Sequence, residues 1–191
     1  LFTIGSISVD EYDGRMLASH GDVVVVTIQY RLGIFGFLDL DSERIPGNMG
    51  LFDQAMALKW IHDNIRYFGG NPNAITLMGN SAGSWAVSLH ILSPVSRNLF
   101  HNAILLSGAA NFYATKNPKD FVQKSLDIIR MIGCASEDDN TITESIVECM
   151  EQIEMEKVEE LSSMKFWFNI FNIKLKILFF VFLPYRDKII S

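Results

Sequence analysis

The sequence predicts an α/β fold, a mostly parallel central sheet with flanking helices. Three observations carry that prediction. Val23 to Ile28 is a run of β-branched residues without alternation, the pattern of a strand buried on both faces of a parallel sheet. Strand-like and helix-like segments then alternate in short order, the signature of βαβ units. Between one such strand and its helix sits Gly79-Asn80-Ser81-Ala82-Gly83, a G-x-S-x-G pentapeptide of the kind that turns a strand sharply into a helix.

Each element follows from local pattern. After Pro46-Gly47-Asn48, apolar residues recur at Leu51, Ala55, Leu58, Ile61 and Ile65, a helical stripe that Gly69-Gly70 ends. Ala74 to Met78 is a short apolar run, read as a buried strand. Ser84 to Leu92 forms the body of a helix that Pro94 breaks, and Ala103 to Leu106 supplies the next strand. Asn117 followed by Pro118 starts a helix that runs to Ile132 and is capped by Gly133. A further amphipathic helix carries Ile146, Met150, Ile153, Val158 and Leu161 on one side, with its acids facing water. There is no internal repeat.

Composition bounds the function. At 191 residues the prior is one domain or slightly more, at roughly 150 residues per domain. Sixteen basic against 22 acidic side chains give a net charge of −6, without the basic stripe that nucleic-acid binding requires. Ten of the acids crowd between Glu137 and Glu160, where a solvated helix face is a better reading than a cation site. Six of the 14 Phe lie between Phe166 and Phe182, in the 18-residue run FWFNIFNIKLKILFFVFL. A lysine near a bilayer centre costs about 2.5–3.5 kcal/mol, and Lys174 and Lys176 both interrupt the run, which argues against a membrane span. The run also lacks period-2 alternation and a helical polar face, so it makes a poor strand and a poor amphipathic helix. Two domains are therefore predicted, a folded part over residues 1–161 and an atypical apolar tail over 162–191. The preferred reading of the tail is sequence foreign to the native fold, such as translated non-coding sequence; an ordinary core segment is the alternative. Leu1 and the opening LFTIGSIS show neither an initiator Met nor signal-peptide order, so the chain reads as a piece of something longer.

The pentapeptide carries the chemistry. A serine on such a turn is lifted above the sheet edge, and the turn is tight enough to call for Gly79 and Gly83 around it. The helix that begins there aims backbone N–H groups at the same place, where they can stabilise an anion developing on an attacked carbonyl. The plain alternative is a Gly/Ser turn joining a strand to a helix.

Several longer motifs surround it. Tyr12-Asp13-Gly14, Gly21-Asp22-Val23-Val24-Val25-Val26, Tyr30-Arg31-Leu32-Gly33 and Gly36-Phe37-Leu38 resemble the type-B carboxylesterase and cholinesterase family. So do Pro46 through Gln54, Phe68-Gly69-Gly70-Asn71-Pro72, Leu92-Ser93-Pro94 and Ser107-Gly108. The resemblance runs from Phe2 to about Ser107, weakens to Leu161 and stops there. It implies a partial α/β-hydrolase fold and a carboxylic-ester hydrolase that takes small-molecule esters and needs no cofactor or metal. Ser81 matches the family's nucleophile, the backbone N–H of Ala82 one oxyanion-hole donor, and Gly79, Asn80 and Gly83 the rest of the elbow. In that chemistry a histidine takes the serine proton, an acyl-enzyme forms, the alcohol leaves, and water completes the cycle.

The departures from the family pattern matter as much. The glycines that supply its other oxyanion donors would precede Phe2, and its triad acid and histidine would follow residue 191. His20, His62, His90 and His101 match none of the triad and read as satisfied structural or surface histidines. The polypeptide of residues 1–191 is therefore expected to hydrolyse esters no faster than background. Asn80 stands where most active members have Glu, which weakens the local field. Phe112 and Tyr113 fall near the family's acyl pocket, though core packing explains them equally well.

Cys134 and Cys149 are the only cysteines. By count they suit one disulfide or two buried thiols, and neither has the further ligands of a zinc site. The family has a bridge of this spacing, which favours the disulfide and, with it, secretion or the lumen of the endoplasmic reticulum. Arg31 and Asp53 match a family ion pair of structural role. A different class of function stays open, because the family also contains non-catalytic adhesion proteins that bind partners. Those usually replace the nucleophile, whereas Ser81 stands here in an intact elbow.

Overall fold

A computed structural model describes residues 5–8, 10–110, 118–154, 156–157 and 178–184. Helix α1 (Arg15–Gly21) leads into strand β1 (Val23–Thr27), followed by the short α2 (Gly33–Phe37) and the long α3 (Met49–Asn64). Then come β2 (Thr76–Asn80), α4 (Ala82–Leu92), β3 (Asn102–Leu106), α5 (Pro118–Ile132), α6 (Glu144–Glu151) and β4 (Leu178–Pro184). The long helix ends as predicted, in a 3₁₀ turn over Ile65–Phe68 before Gly69. Helix α6 stops at Glu151, earlier than its apolar pattern suggests. Ile153 packs beyond its end, while Val158 and Leu161 lie outside the described residues. The short helices α1 and α2 have no predicted counterpart, because segments of seven and five residues carry too few turns to show a period.

The four strands found among the described residues form one sheet in the order β1-β4-β2-β3. β2 and β3 are parallel, and β4 runs antiparallel to both β1 and β2. β1 and β2 therefore point the same way, and the predicted parallel α/β sheet is present with one reversed strand inside it. Leu178–Pro184 supplies that strand, pairing Phe182 with Val25 on one side and Phe180 with Met78 on the other. The expectation that the apolar run makes a poor strand is thus corrected for its last six residues, Leu178 to Leu183. Alternation marks strands with one wet face, and a strand flanked on both sides within a helix-covered sheet can be apolar throughout. The remainder of residues 162–191 lies outside the described residues.

Two clusters of apolar side chains hold the elements together. Leu58, Ile61 and Ile65 from α3 and its end pack on Ile75 and Leu77 at β2 and on Ala86 and Val87 of α4, with Val24 and Val26 of β1 at the margin. β1 is consequently half-buried along its length rather than buried on both faces. The second cluster packs Ile34, Leu38 and Leu40 against Ile128, Ile129 and Ile132 of α5 and Ile146, Val147 and Met150 of α6. A disulfide joins Cys134, just past α5, to Cys149 on α6, with their Cα atoms 5.7 Å apart. Arg44 adds ion pairs to Glu144 and Glu151 on the same helix.

Candidate active site

The sheet and α4 meet at Ser81. Strand β2 ends at Asn80, α4 begins at Ala82, and Ser81 between them has φ 57° and ψ −120°. A non-glycine residue in that region is strained and persists only where its surroundings hold it. Two backbone bonds do so: Ser81 N–H donates to the Leu106 carbonyl at the end of β3 (2.8 Å), and the Ser81 carbonyl accepts from Trp85 N–H (3.0 Å). Gly79 is required by close approach, since a Cβ there would stand 2.2 Å from the Gly83 carbonyl oxygen. The pentapeptide thus closes on itself, Gly79 lying against Gly83.

The location matters for chemistry. Ser81 stands at the C-terminal end of a parallel strand, where open α/β sheets bind their ligands. The first-turn N–H groups of α4, that of Ala82 among them, have no carbonyl one turn earlier within the helix and carry the positive end of its dipole. A partial negative charge forming beside Ser81 would meet both.

The four histidines are engaged elsewhere. His90 is buried on α4, its Nε2 facing the Gln54 carbonyl oxygen at 2.9 Å and its Nδ1 the Ser96 hydroxyl at 2.8 Å. An amide oxygen only accepts, so Nε2 carries the proton and Nδ1 accepts from Ser96. Burial pushes the His90 pKa down to about 4. Nearby, burial and then the neighbouring Tyr12 push Tyr30 up to about 12. His101 Nδ1 accepts from Ile75 N–H, His62 pairs with Asp63, and His20 Nδ1 sits against Ser19 and the Met16 carbonyl.

Arg31 and Asp53 do meet. The guanidinium holds both carboxylate oxygens, at 2.8 and 2.7 Å, and the Arg31 N–H adds a third bond at 3.0 Å. Hydrogen bonds from the Arg31 side chain hold the Asp53 pKa below its ordinary value. This pins the chain beyond β1 to α3. Phe112 and Tyr113 lie outside the described residues. Among the described residues no group of three His, Cys, Asp or Glu side chains could hold a metal, and no helix is long and apolar enough to cross a membrane.

The pentapeptide spacing did not reveal what surrounds Ser81. Ser84 donates to the Gly108 carbonyl, and Ser88 accepts from Ala110 N–H at 2.6 Å. Their i,i+4 spacing places both hydroxyls on one face of α4 and was the only available signal.

Comparison with known proteins places this geometry. Residues 1–189 match the model of the Carboxylesterase family. This chain belongs to the carboxylesterase family. Its fold is accordingly a partial α/β-hydrolase fold. It is 46% identical over 154 residues to acetylcholinesterase-1 of Trittame loki, covering 80% of this chain and 28% of that protein. It is 43% identical over 189 residues to acetylcholinesterase 4 of Caenorhabditis briggsae, covering 98% and 29%. With carboxylesterase 5A of Mus musculus it shares 48% identity over 128 residues, 67% of this chain and 22% of that protein. The chain spans less than a third of the length of these three relatives.

Proposed function

We propose that this chain carries the nucleophile of a carboxylic-ester hydrolase, and that Ser81 is that nucleophile. The observation that carries the proposal is the strained Ser81 backbone at the junction of β2 and α4, with α4 starting at the very next residue. Strain of about 1–3 kcal/mol at a single residue is typical of sites where position serves chemistry. In the reaction, Ser81 Oγ bonds to the ester carbonyl carbon as its proton passes to a base. The tetrahedral oxyanion is met by N–H groups that include that of Ala82. The alcohol then leaves with a proton, and water releases the acid and restores the hydroxyl. Gly79, Asn80 and Gly83 serve the turn.

Substrates are small carboxylic esters, with acetylcholine among those to test because two of the relatives carry its name. The Cys134–Cys149 bridge supports a secreted or lumenal site of action. The non-catalytic, partner-binding alternative has no observation in its favour, and the intact elbow weighs against it.

Each of the four histidines has partners other than Ser81. Since the four histidines are committed elsewhere, residues 1–191 alone should hydrolyse a p-nitrophenyl ester at the background rate. An enzyme-like rate abolished by Ser81→Ala would overturn that expectation. The nucleophile itself is tested by a chimera in which residues 5–110 replace the matching segment of the Trittame loki acetylcholinesterase-1. The chimera should turn over acetylthiocholine, and Ser81→Ala should lower kcat by about 10³-fold or more. A folded, secreted chimera without activity would sink the assignment.

A further inference from the structure

The turn that follows β3 is fastened to α4 by side chains that belong neither to the pentapeptide nor to a catalytic triad. Ser84, fully buried on α4, donates its hydroxyl to the Gly108 carbonyl. One helical turn later, Ser88 accepts from Ala110 N–H at 2.6 Å and donates to the Trp85 carbonyl at 3.0 Å, so its hydroxyl is used in both directions. Between them the Trp85 indole lies flush against the turn: a Cβ on Gly108 would meet its Nε1 at 2.4 Å and would stand 3.4 Å from the Ser81 carbonyl oxygen. The turn starts at Ser107, itself a non-glycine residue at φ 61°. The residue before it, Leu106, provides the carbonyl that holds Ser81 N–H.

These contacts form a closed circuit. Ser81 is tied to Leu106, Leu106 leads into the 107–110 turn, and that turn is tied back to the helix that Ser81 itself opens. We propose that Ser84 and Ser88 are positioning residues, a hydroxyl staple that keeps the Leu106 carbonyl in place and thereby holds Ser81 in its strained conformation. The proposal rests on the reading of Ser81 as nucleophile for its meaning, although the staple can be measured without any turnover. A strained residue relaxes when what over-determines it is removed. Replacing serine by alanine leaves helix propensity intact, so the loss is confined to the hydrogen bonds. At Ser84 it also leaves the Gly108 carbonyl without that donor.

The experiment is amide hydrogen exchange and carbon chemical shifts by NMR on the full 191-residue chain, kept dilute and at low salt so that copies do not associate. In Ser88→Ala and in Ser84→Ala, the Ser81 and Ala110 amides should exchange about five- to tenfold faster, the effect of one hydrogen bond. The Ser81 Cα and Cβ signals should move toward values of an unstrained residue. The Leu77 and Met78 amides, in the same strand but outside the circuit, should keep their rates within about twofold. Ser88→Thr, which retains the hydroxyl, should restore the Ser88→Ala losses. A uniform acceleration across β2 would mean that the serines only add general stability, and unmoved Ser81 signals in both alanine variants would mean no positioning; either result overturns the proposal. If one alanine variant fails to fold, the other still decides. An inactive chimera with these NMR results intact would overturn the nucleophile reading and leave the staple standing.

Discussion

His90 shows how much of a residue's role depends on what the chain brings to it from elsewhere. Its partners are Gln54, 36 positions earlier, and Ser96, six later, so no local pattern could have named them. The elbow differs: Gly79 and Gly83 lie two residues either side of Ser81, and the steric need for Gly79 acts across that same short turn. That is why the strand-to-helix turn at Ser81 was legible and the histidine network was not. The network has a thermodynamic consequence whose sign is fixed. The unfolded chain binds a proton at His90 as pH falls through about 6.5, whereas the folded chain resists until about 4. Between those values the unfolded state holds more protons, so stability falls with falling pH, flattening below about 4. The depression corresponds to about 3 kcal/mol across the window, at 1.36 kcal/mol per pKa unit. Urea titrations at pH 7 and pH 4.5 should show the loss, and His90→Gln should be less stable at pH 7 but less pH-dependent. Equal pH slopes in the two proteins would sink this account.

Among the elements, α3, α4 and α5 were readable because each carries a local start or stop, and α3 also repeats an apolar stripe over its length. β4 was not, because a continuous apolar run leaves strand, helix and foreign sequence indistinguishable until neighbours are known. Connections between elements are where the family resemblance added most. Arg31 and Asp53 join the segment after β1 to α3 through a two-pronged contact in which Asp53 is the more sheltered partner. Because Arg31 is half-exposed, Asp53→Asn should cost only about 1 kcal/mol, read as a lowered urea midpoint. No change in midpoint would show that the pair only decorates the surface. The Cys134–Cys149 bridge closes a short loop between α5 and α6, and the chain-entropy relation gives about 3 kcal/mol for a loop of about 15 residues. Reduction or Cys134→Ala/Cys149→Ala should loosen α6 first, because Ile146, Val147 and Met150 then rely on packing and the Arg44 contacts alone. Faster amide exchange on α6 than on α3 after reduction is the measurable sign.

At the scale of the sheet, neither end is covered by another strand among the described residues. β1 and β3 are the edge strands, and β3 shows Ile104 and Leu106 to solvent at about two-fifths exposure. Its five residues, Asn102–Leu106, include no charge and no proline, the two features by which edge strands ordinarily discourage further pairing. A second apolar surface lies on α3, where Phe52, Met56 and Trp60 follow one another at four-residue intervals and are each more than half exposed. A net charge of −6 provides some repulsion between copies, but much of the acid sits between Glu137 and Glu160. Residues 1–191 in isolation should therefore self-associate. Light scattering should rise with protein concentration, and added salt should strengthen the effect by screening the acids. The two surfaces can be separated by single substitutions. Ile104→Lys places a charge on the β3 edge and should suppress association if strand pairing drives it. Met56→Lys should do so if the helix stripe is responsible. The edge has the stronger claim, since it offers unpaired backbone donors and acceptors as well as apolar side chains, whereas the stripe offers only area. A monomeric, monodisperse chain at high concentration and high salt would refute the prediction for both surfaces at once.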